Sequence, residues 1–204
     1  MKRQDRIAIT GGIGSGKSYV CQLLKEHWGI EVYDCDAAAK RLMRTSPLFR
    51  QQLTALIGPD CYNTHMPQQS QQYQEPLATQ VLNKAAVTRF LLASEQNARA
   101  VDAIVHPAVA DDFLQSGQRW MECAILFESG FDRLVDQVIV VTAPIDVRIR
   151  RIMERDSISA QRAQEWLQRQ WPQEQVCQRA QFEVVNDGQQ PLIPQIEQII
   201  NIIR

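Results

Sequence analysis

Near the start of the 204-residue chain stands a glycine-rich run, Gly11-Gly12-Ile13-Gly14-Ser15-Gly16-Lys17-Ser18. A glycine, four residues and then Gly16-Lys17-Ser18 is a spacing suited to holding a chain of phosphates. Glycines let backbone amides approach phosphate oxygens with no Cβ in the way. Successive N–H groups form an anion nest, and a helix opening at the loop adds partial positive charge. Lys17 can reach the β- and γ-phosphates as a point charge. Ser18 offers a hydroxyl to Mg2+, a hard cation that prefers oxygen. The plainer reading is a glycine-rich turn that happens to precede Lys-Ser. Context disfavours it, because a β-branched run, Ile7 to Thr10, leads in and a helical pattern leads out. The spacing therefore implies a P-loop, with residues 11–18 around a nucleoside triphosphate.

A second set of residues can complete the chemistry. Asp34-Cys35-Asp36 follows an alternating stretch, Ile30 to Tyr33, that reads as a strand. In open α/β sheets ligands bind beyond the carboxyl ends of strands, so Asp34 is expected near the loop. A carboxylate there can deprotonate an attacking hydroxyl or hold magnesium through water. Asp36 can also simply be the N-cap of the following helix. Further on, Arg148, Arg150, Arg151, Arg155, Arg162, Arg169 and Arg179 lie within 32 residues. Arg148, Arg151 and Arg155 share one helix face by their i, i+3, i+7 spacing. A charge run is commonly a solvated face. This one is almost all arginine, which suits planar contact to phosphate. A lid carrying Arg151 and Arg155 over the γ-phosphate is the reading favoured here.

His106-Pro107 and Glu128 are weaker candidates. His106-Pro107 follows an apolar helical pattern, Ala100 to Val105, and a lone histidine is more often a packing or capping residue. Glu128 closes an apolar run, Glu122 to Phe127, that reads as a strand. It can meet substrate or nearby backbone amides. Asn83-Lys84 resembles part of a guanine-recognition motif but lacks its Asp, since Ala86 stands there. Trp28, Trp120, Trp166 and Trp171 are expected in packing.

Elements must position these groups. Helices are expected over Lys17 to Trp28 (stopped by Gly29), Ala37 to Arg44, Leu77 to Phe90, Ile145 to Arg155 and Ser159 to Gln170. A further helix opens at Pro172, and one carries Leu192, Ile196, Ile199, Ile200 and Ile203. Apolar runs at Glu122 to Phe127 and Gln137 to Thr142 suit strands covered on two faces, and Phe182 to Val185 reads as a last strand. The alternation implies an α/β fold with a parallel sheet flanked by helices. Residues 1–36, 101–146 and 180–204 are expected as the nucleotide-binding core, 37–100 as a helical insertion, and 147–179 as the lid. The polar run Gln68 to Gln74 is expected as a surface loop.

Composition excludes several classes. The chain has 45% hydrophobic residues, enough for a sizeable core. Its 22 Lys and Arg against 23 Asp and Glu leave no basic field for nucleic acid. Five scattered cysteines show no CxxC spacing, so zinc is not expected, and free thiols suit a reducing compartment. No apolar run is long enough for a signal segment or a membrane span, so the expected location is cytoplasmic. No obligate protein partner is implied.

Taken in order, these residues resemble the dephospho-CoA kinase family. The stretch Thr10 to Ser18 matches the family's loop, Asp34-Cys35-Asp36 its Asp-Ala-Asp, and His106-Pro107 its His-Pro pair. Ala124 to Glu128 resembles its Pro-Leu-Leu-Phe-Glu, and Arg151, Arg155-Asp156 and Gln170 its lid signature. The chain departs at Cys35 (usually Ala), Lys40 (usually Arg) and Ala124 (usually Pro). The resemblance implies a fold similar to nucleoside monophosphate kinases, with a CoA-binding helical domain. It implies ATP- and Mg2+-dependent phosphorylation of the ribose 3′-hydroxyl of dephospho-CoA, giving coenzyme A and ADP. Asp34 would be the general base, Lys17 and Arg151 would act on the transferring phosphate, and Arg155 would bind ATP. Asp36, His106 and Glu128 would meet the acceptor, and Ser18 the metal. Competing readings are another small-molecule P-loop kinase and a non-catalytic nucleotide-binding regulator.

Overall fold

A computed structural model of the chain describes residues 5–64 and 80–203. The chain forms two compact units, residues 1–35 with 113–204, and residues 36–112.

The first unit is built on a five-stranded parallel sheet. Its strands are β1 (Ile7–Thr10), β2 (Val32–Asp34), β5 (Trp120–Glu122), β6 (Gln137–Thr142) and β7 (Phe182–Val185), in the order β2-β5-β1-β6-β7. Alternate residues face opposite sides of the sheet. On one side Ile7, Ile9, Ile139, Val141 and Val184 pack against two helices. Val20, Leu23 and Leu24 come from α1 (Lys17–Trp28), and Ile196, Ile199 and Ile200 from α9 (Leu192–Ile203). Ala8, Met121, Val138 and Val140, of the opposite parity, are also buried. Two covered faces explain why β1 and β6 read as apolar runs. Gly29 ends α1 in the left-handed conformation, its N–H bonding to Leu24 and Lys25 carbonyls. The remaining helices of this unit are α6 (Ile145–Asp156), α7 (Ala160–Gln168) and α8 (Gln173–Cys177). The Ser159 hydroxyl caps α7 by accepting from the Arg162 amide.

The second unit holds α2 (Cys35–Thr45), α3 (Pro47–Ile57), α4 (Lys84–Ala93) and most of α5 (Glu95–Ser116). Its own core gathers Phe49, Leu53, Cys61, Tyr62, Val87 and Val101. It is not wholly helical, as the sequence suggested. Strands β3 (Tyr62–Thr64) and β4 (Gln80–Leu82) pair antiparallel. The helix expected from Leu77 therefore starts at Lys84, capped by the Asn83 side chain. That cap is the structural role of Asn83-Lys84. The Gln68 to Gln74 run lies outside the described residues.

Other expectations are corrected by local geometry. Asp36 is not an N-cap, because α2 already begins at Cys35. Asp36 lies in its first turn and pairs with Lys40 at 3.3 Å. His106-Pro107 does not end a helix, since α5 continues to Ser116 with Val109 and Phe113 buried along it. The second unit runs to Asp112, within this helix. The third strand is Trp120–Glu122 and not Glu122 to Phe127. After the ladder bond from Cys123 N to Ile9 O, the chain turns, with Ser129 N bonding Ile125 O and Phe131 N bonding Leu126 O. A continuous apolar run does not distinguish a strand from a buried turn. Among the described residues no helix is long and apolar enough to cross a membrane.

Candidate active site

The loop after β1 enters α1 at the carboxyl edge of the sheet. Gly16 holds φ 93, in the left-handed region, where a Cβ would also strike the Asn186 amide. At Gly12 the need is space, because a Cβ there would collide with the Arg148 guanidinium. Gly16 is thus required by its backbone conformation, whereas at Gly12 a larger residue would have to displace the Arg148 guanidinium. Lys17 is buried, with Nζ 3.5 Å from the Gly12 carbonyl. Burial lowers the pKa of its ammonium, which the nearby Glu122 carboxylate partly offsets.

Two arginines of α6 close on the loop. Arg148 is 8% exposed, and its Nε donates to the Ile13 carbonyl at 2.9 Å. Burial lowers its pKa as well. Arg151 donates through Nη1 to the Gly14 and Ser15 carbonyls, both at 3.4 Å. Its Nη2 donates to Asn186 Oδ1 at 3.2 Å. Asn186 is buried just beyond β7, and its Nδ2 donates to the Ser15 carbonyl at 2.9 Å. The Ile13 amide donates to Gln170 Oε1 at 2.7 Å. Arg155 is placed differently. Its guanidinium is held by the neighbouring Asp156 at 2.8 Å, and among the described residues it makes no hydrogen bond to the loop.

Two carboxylates stand at the ends of neighbouring strands. Asp34 ends β2 and is exposed, and its register partner across β5 is Glu122. Glu122 Oε1 accepts from the Ser18 hydroxyl at 3.1 Å. Glu128, expected at this strand end, instead lies in the following turn and accepts from the Trp171 amide at 3.3 Å. It lines a cleft shared with Thr10, Gly11, Gly12, Arg148 and Gln170. Beside it the Phe127 and Trp171 rings stack at 5.9 Å, with the Arg179 guanidinium over both. In the second unit, His106 Nε2 lies 3.7 Å from Asp102 Oδ1, one helical turn away.

The structure thus brings Lys17, Ser18, Asp34 and Arg151 to one sheet edge. Glu122 and Asn186 were missed by sequence reasoning, and Arg148 was ranked below Arg151. Glu122 was read as opening a strand that it in fact ends.

The oxygen donors suit a hard cation. Ser18 offers a hydroxyl and Glu122 a carboxylate, while the nearby Cys21 thiol keeps its proton. Its pKa is pushed up by burial and then by Glu122. Among the described residues no group of three or more His, Cys, Asp or Glu is placed to hold a metal alone. Magnesium characteristically takes one or two protein oxygens and completes its shell with phosphate and water.

A parallel sheet whose first strand runs into such a loop, with arginines from a later helix bonded to that loop, defines a P-loop kinase fold. The chain belongs to the dephospho-CoA kinase family, whose model, described as CoaE, dephospho-CoA kinase, matches residues 6–191. It is thereby an ATP-dependent phosphotransferase of coenzyme A synthesis. It is similar to a dephospho-CoA kinase of Bacteroides fragilis strain YCH46, with 38% identity over 202 residues, 96% of this chain and 91% of that protein. Its fold is similar to TT1252 from Thermus thermophilus, with TM-score 0.79, 26% identity and 98% of both chains covered. It also resembles the fold of dephospho-CoA kinase from Campylobacter jejuni, with TM-score 0.62, 17% identity, 98% of this chain and 96% of that one.

Proposed function

We infer that the chain transfers the γ-phosphoryl group of ATP to the ribose 3′-hydroxyl of dephospho-CoA, with Asp34 as general base. The observation that carries this reading is the convergence of Lys17, Ser18, Arg151 and Asp34 at one sheet edge. Phosphoryl transfer needs little covalent help from the protein, so positioning and charge stabilisation dominate.

The loop amides and Lys17 bind the β- and γ-phosphates. Arg151 already spans the Gly14 and Ser15 carbonyls and Asn186, so its charge is held in place before the reaction. It acts on the equatorial oxygens of the transferring group. Arg148, fixed to Ile13 O, supplies a second positive charge beside Gly12. Asp34 accepts the proton of the acceptor hydroxyl as the bond to phosphorus forms. Ser18 would hold magnesium, which would supply positive charge against the nucleotide's phosphates. The helix bearing Arg151 and Arg155 belongs to a 147–179 lid, and closure would bring Arg155 to the nucleotide. Asp36, His106 and Glu128 are assigned to the acceptor on the family resemblance.

The test is ADP release by purified protein with ATP and Mg2+, across a panel of acceptors. Turnover with dephospho-CoA well above that with nucleoside monophosphates or sugar acids supports the reading. Preference for another acceptor would overturn the substrate. Nucleotide binding without acceptor-dependent turnover would make the chain a regulator.

A further inference from the structure

Three successive carbonyls of the loop are held by two arginines of α6 and by the asparagine bonded to one of them. Arg148 Nε donates to Ile13 O at 2.9 Å, Arg151 Nη1 to Gly14 O and Ser15 O at 3.4 Å, and Asn186 Nδ2 to Ser15 O at 2.9 Å. Among the described residues every peptide bond is trans. In a trans peptide the carbonyl and the N–H that follows it point in opposite directions. Carbonyls drawn toward α6 therefore turn their peptide N–H groups away from it.

Arg148 acts on the peptide with the most freedom. Ser15 N donates to Gly12 O at 3.1 Å, closing a four-residue turn with Ile13 and Gly14 at its centre. Gly14 has φ 79, the value for the third residue of a type II turn. Type I and type II turns share their ends and differ by a rotation of about 180° of the central peptide. Glycine accepts φ of either sign, so the turn itself does not choose between them. The central peptide here is the Ile13 carbonyl with the Gly14 N–H. With its oxygen on Arg148, the N–H faces away from that guanidinium. Rotated, the peptide would present a carbonyl oxygen where the N–H now points, and an oxygen repels phosphate.

We propose that Arg148 is a positioning residue for the loop, its Nε locking the Ile13–Gly14 peptide so that the Gly14 N–H points at the nucleotide's phosphates. The proposal rests on the reading of this loop as a phosphate site. It gives Arg148 a role distinct from its charge. Burial fixes the lock, since the Arg148 side chain is packed over Gly12 in space that a Cβ would fill.

Charge and hydrogen bond can be separated because the donor is Nε. Glutamine carries an N–H donor at the same place along its side chain. Arg148→Gln thus removes the charge and keeps the donor, whereas Arg148→Met removes both at similar length. Affinity for a non-hydrolysable ATP analogue with Mg2+ would be measured calorimetrically, and the Gly14 amide followed by proton–nitrogen NMR. Arg148→Gln is expected to bind within about threefold of the parent. Arg148→Met should lose about tenfold or more, the worth of a hydrogen bond to a charged group. The Gly14 amide proton should move downfield on binding in the parent and in Arg148→Gln, and not in Arg148→Met. Equal losses in the two variants would leave charge as the whole contribution of Arg148 and overturn the proposal. So would full affinity in Arg148→Met, or a Gly14 shift there equal to the parent's. If one variant fails to fold by circular dichroism, the Gly14 shift in the other still decides. If the parent itself does not bind the analogue, the phosphate reading of the loop falls, and this role with it.

Discussion

Asn186 ties the loop to the catalytic arginine, and its removal gives a sharp prediction. In Asn186→Ala, Nδ2 no longer donates to the Ser15 carbonyl, and Oδ1 no longer receives Arg151 Nη2. The first bond is buried and neutral, and stripping a buried carbonyl of its partner costs about 1–3 kcal/mol. Arg151 Nη1, 3.4 Å from the same carbonyl, compensates in part. The second bond involves a half-exposed guanidinium, so solvent screening holds its share below about 1 kcal/mol. The expected loss of stability is about 1–3 kcal/mol, a fall of roughly 2–12 °C in Tm for a chain of this size. The bond to Asn186 is the shortest of the three that orient Arg151, so kcat should fall by about tenfold, or 1.4 kcal/mol in the barrier. The assay is urea unfolding together with steady-state kinetics on Asn186→Ala, Arg151→Ala and the double variant. The two changes should couple by at least about 0.5 kcal/mol, since they share a contact. Stability within about 0.5 kcal/mol of the parent, or strictly additive effects on kcat, would refute the reasoning.

Asp34→Ala should keep ATP affinity and lose about 10²–10⁴ of turnover, the usual contribution of a general base. Near-normal turnover would remove the assignment. Arg151→Ala should lower kcat more than it raises KM, and a change confined to the KM of the acceptor would make it a substrate anchor instead. Lys17 is held below its ordinary pKa of 10.5 by burial, and arriving phosphate stabilises its ammonium. Nucleotide binding should therefore take up protons at alkaline pH, and affinity should fall as pH rises through the lowered pKa. Calorimetry in buffers of different ionisation enthalpy reads this, and proton release on binding would contradict it. Gly16→Ala should destabilise more than Gly12→Ala. The first has a positive φ and meets buried Asn186, whereas the second displaces only the end of an arginine side chain. Equal unfolding midpoints in urea would refute that ranking.

The parts legible in the sequence were those where one pattern had one structural meaning. Ile7–Thr10 and Gln137–Thr142 are apolar runs bounded by turn residues, and both are strands. The α1 face of Val20, Leu23 and Leu24 and its Gly29 stop follow from helical periodicity and the left-handed cap. The errors fell where tertiary contacts choose between equivalent patterns. The apolar run from Glu122 to Phe127 suits a strand or a packed turn, and the chain turns at Cys123. That choice moved the strand-end carboxylate from Glu128 to Glu122. Pro107 reads as a helix boundary, yet α5 passes through it because residues beyond it are also buried. The β3–β4 pair joins short segments of mixed polarity, which carry no clear period. Asn186 was invisible for a different reason. Its importance lies in two contacts, to Ser15 and Arg151, from residues more than thirty positions away.

The most direct test of the central claim follows the phosphoryl group itself. Purified protein would be given ATP labelled at the γ-position, Mg2+ and dephospho-CoA, and the product would be isolated and its phosphates assigned by 31P NMR. Label in a phosphomonoester on the ribose 3′-oxygen, formed in step with ADP and lost in Asp34→Ala, is the predicted result. Label appearing only in inorganic phosphate, or at another position of the acceptor, would contradict the account.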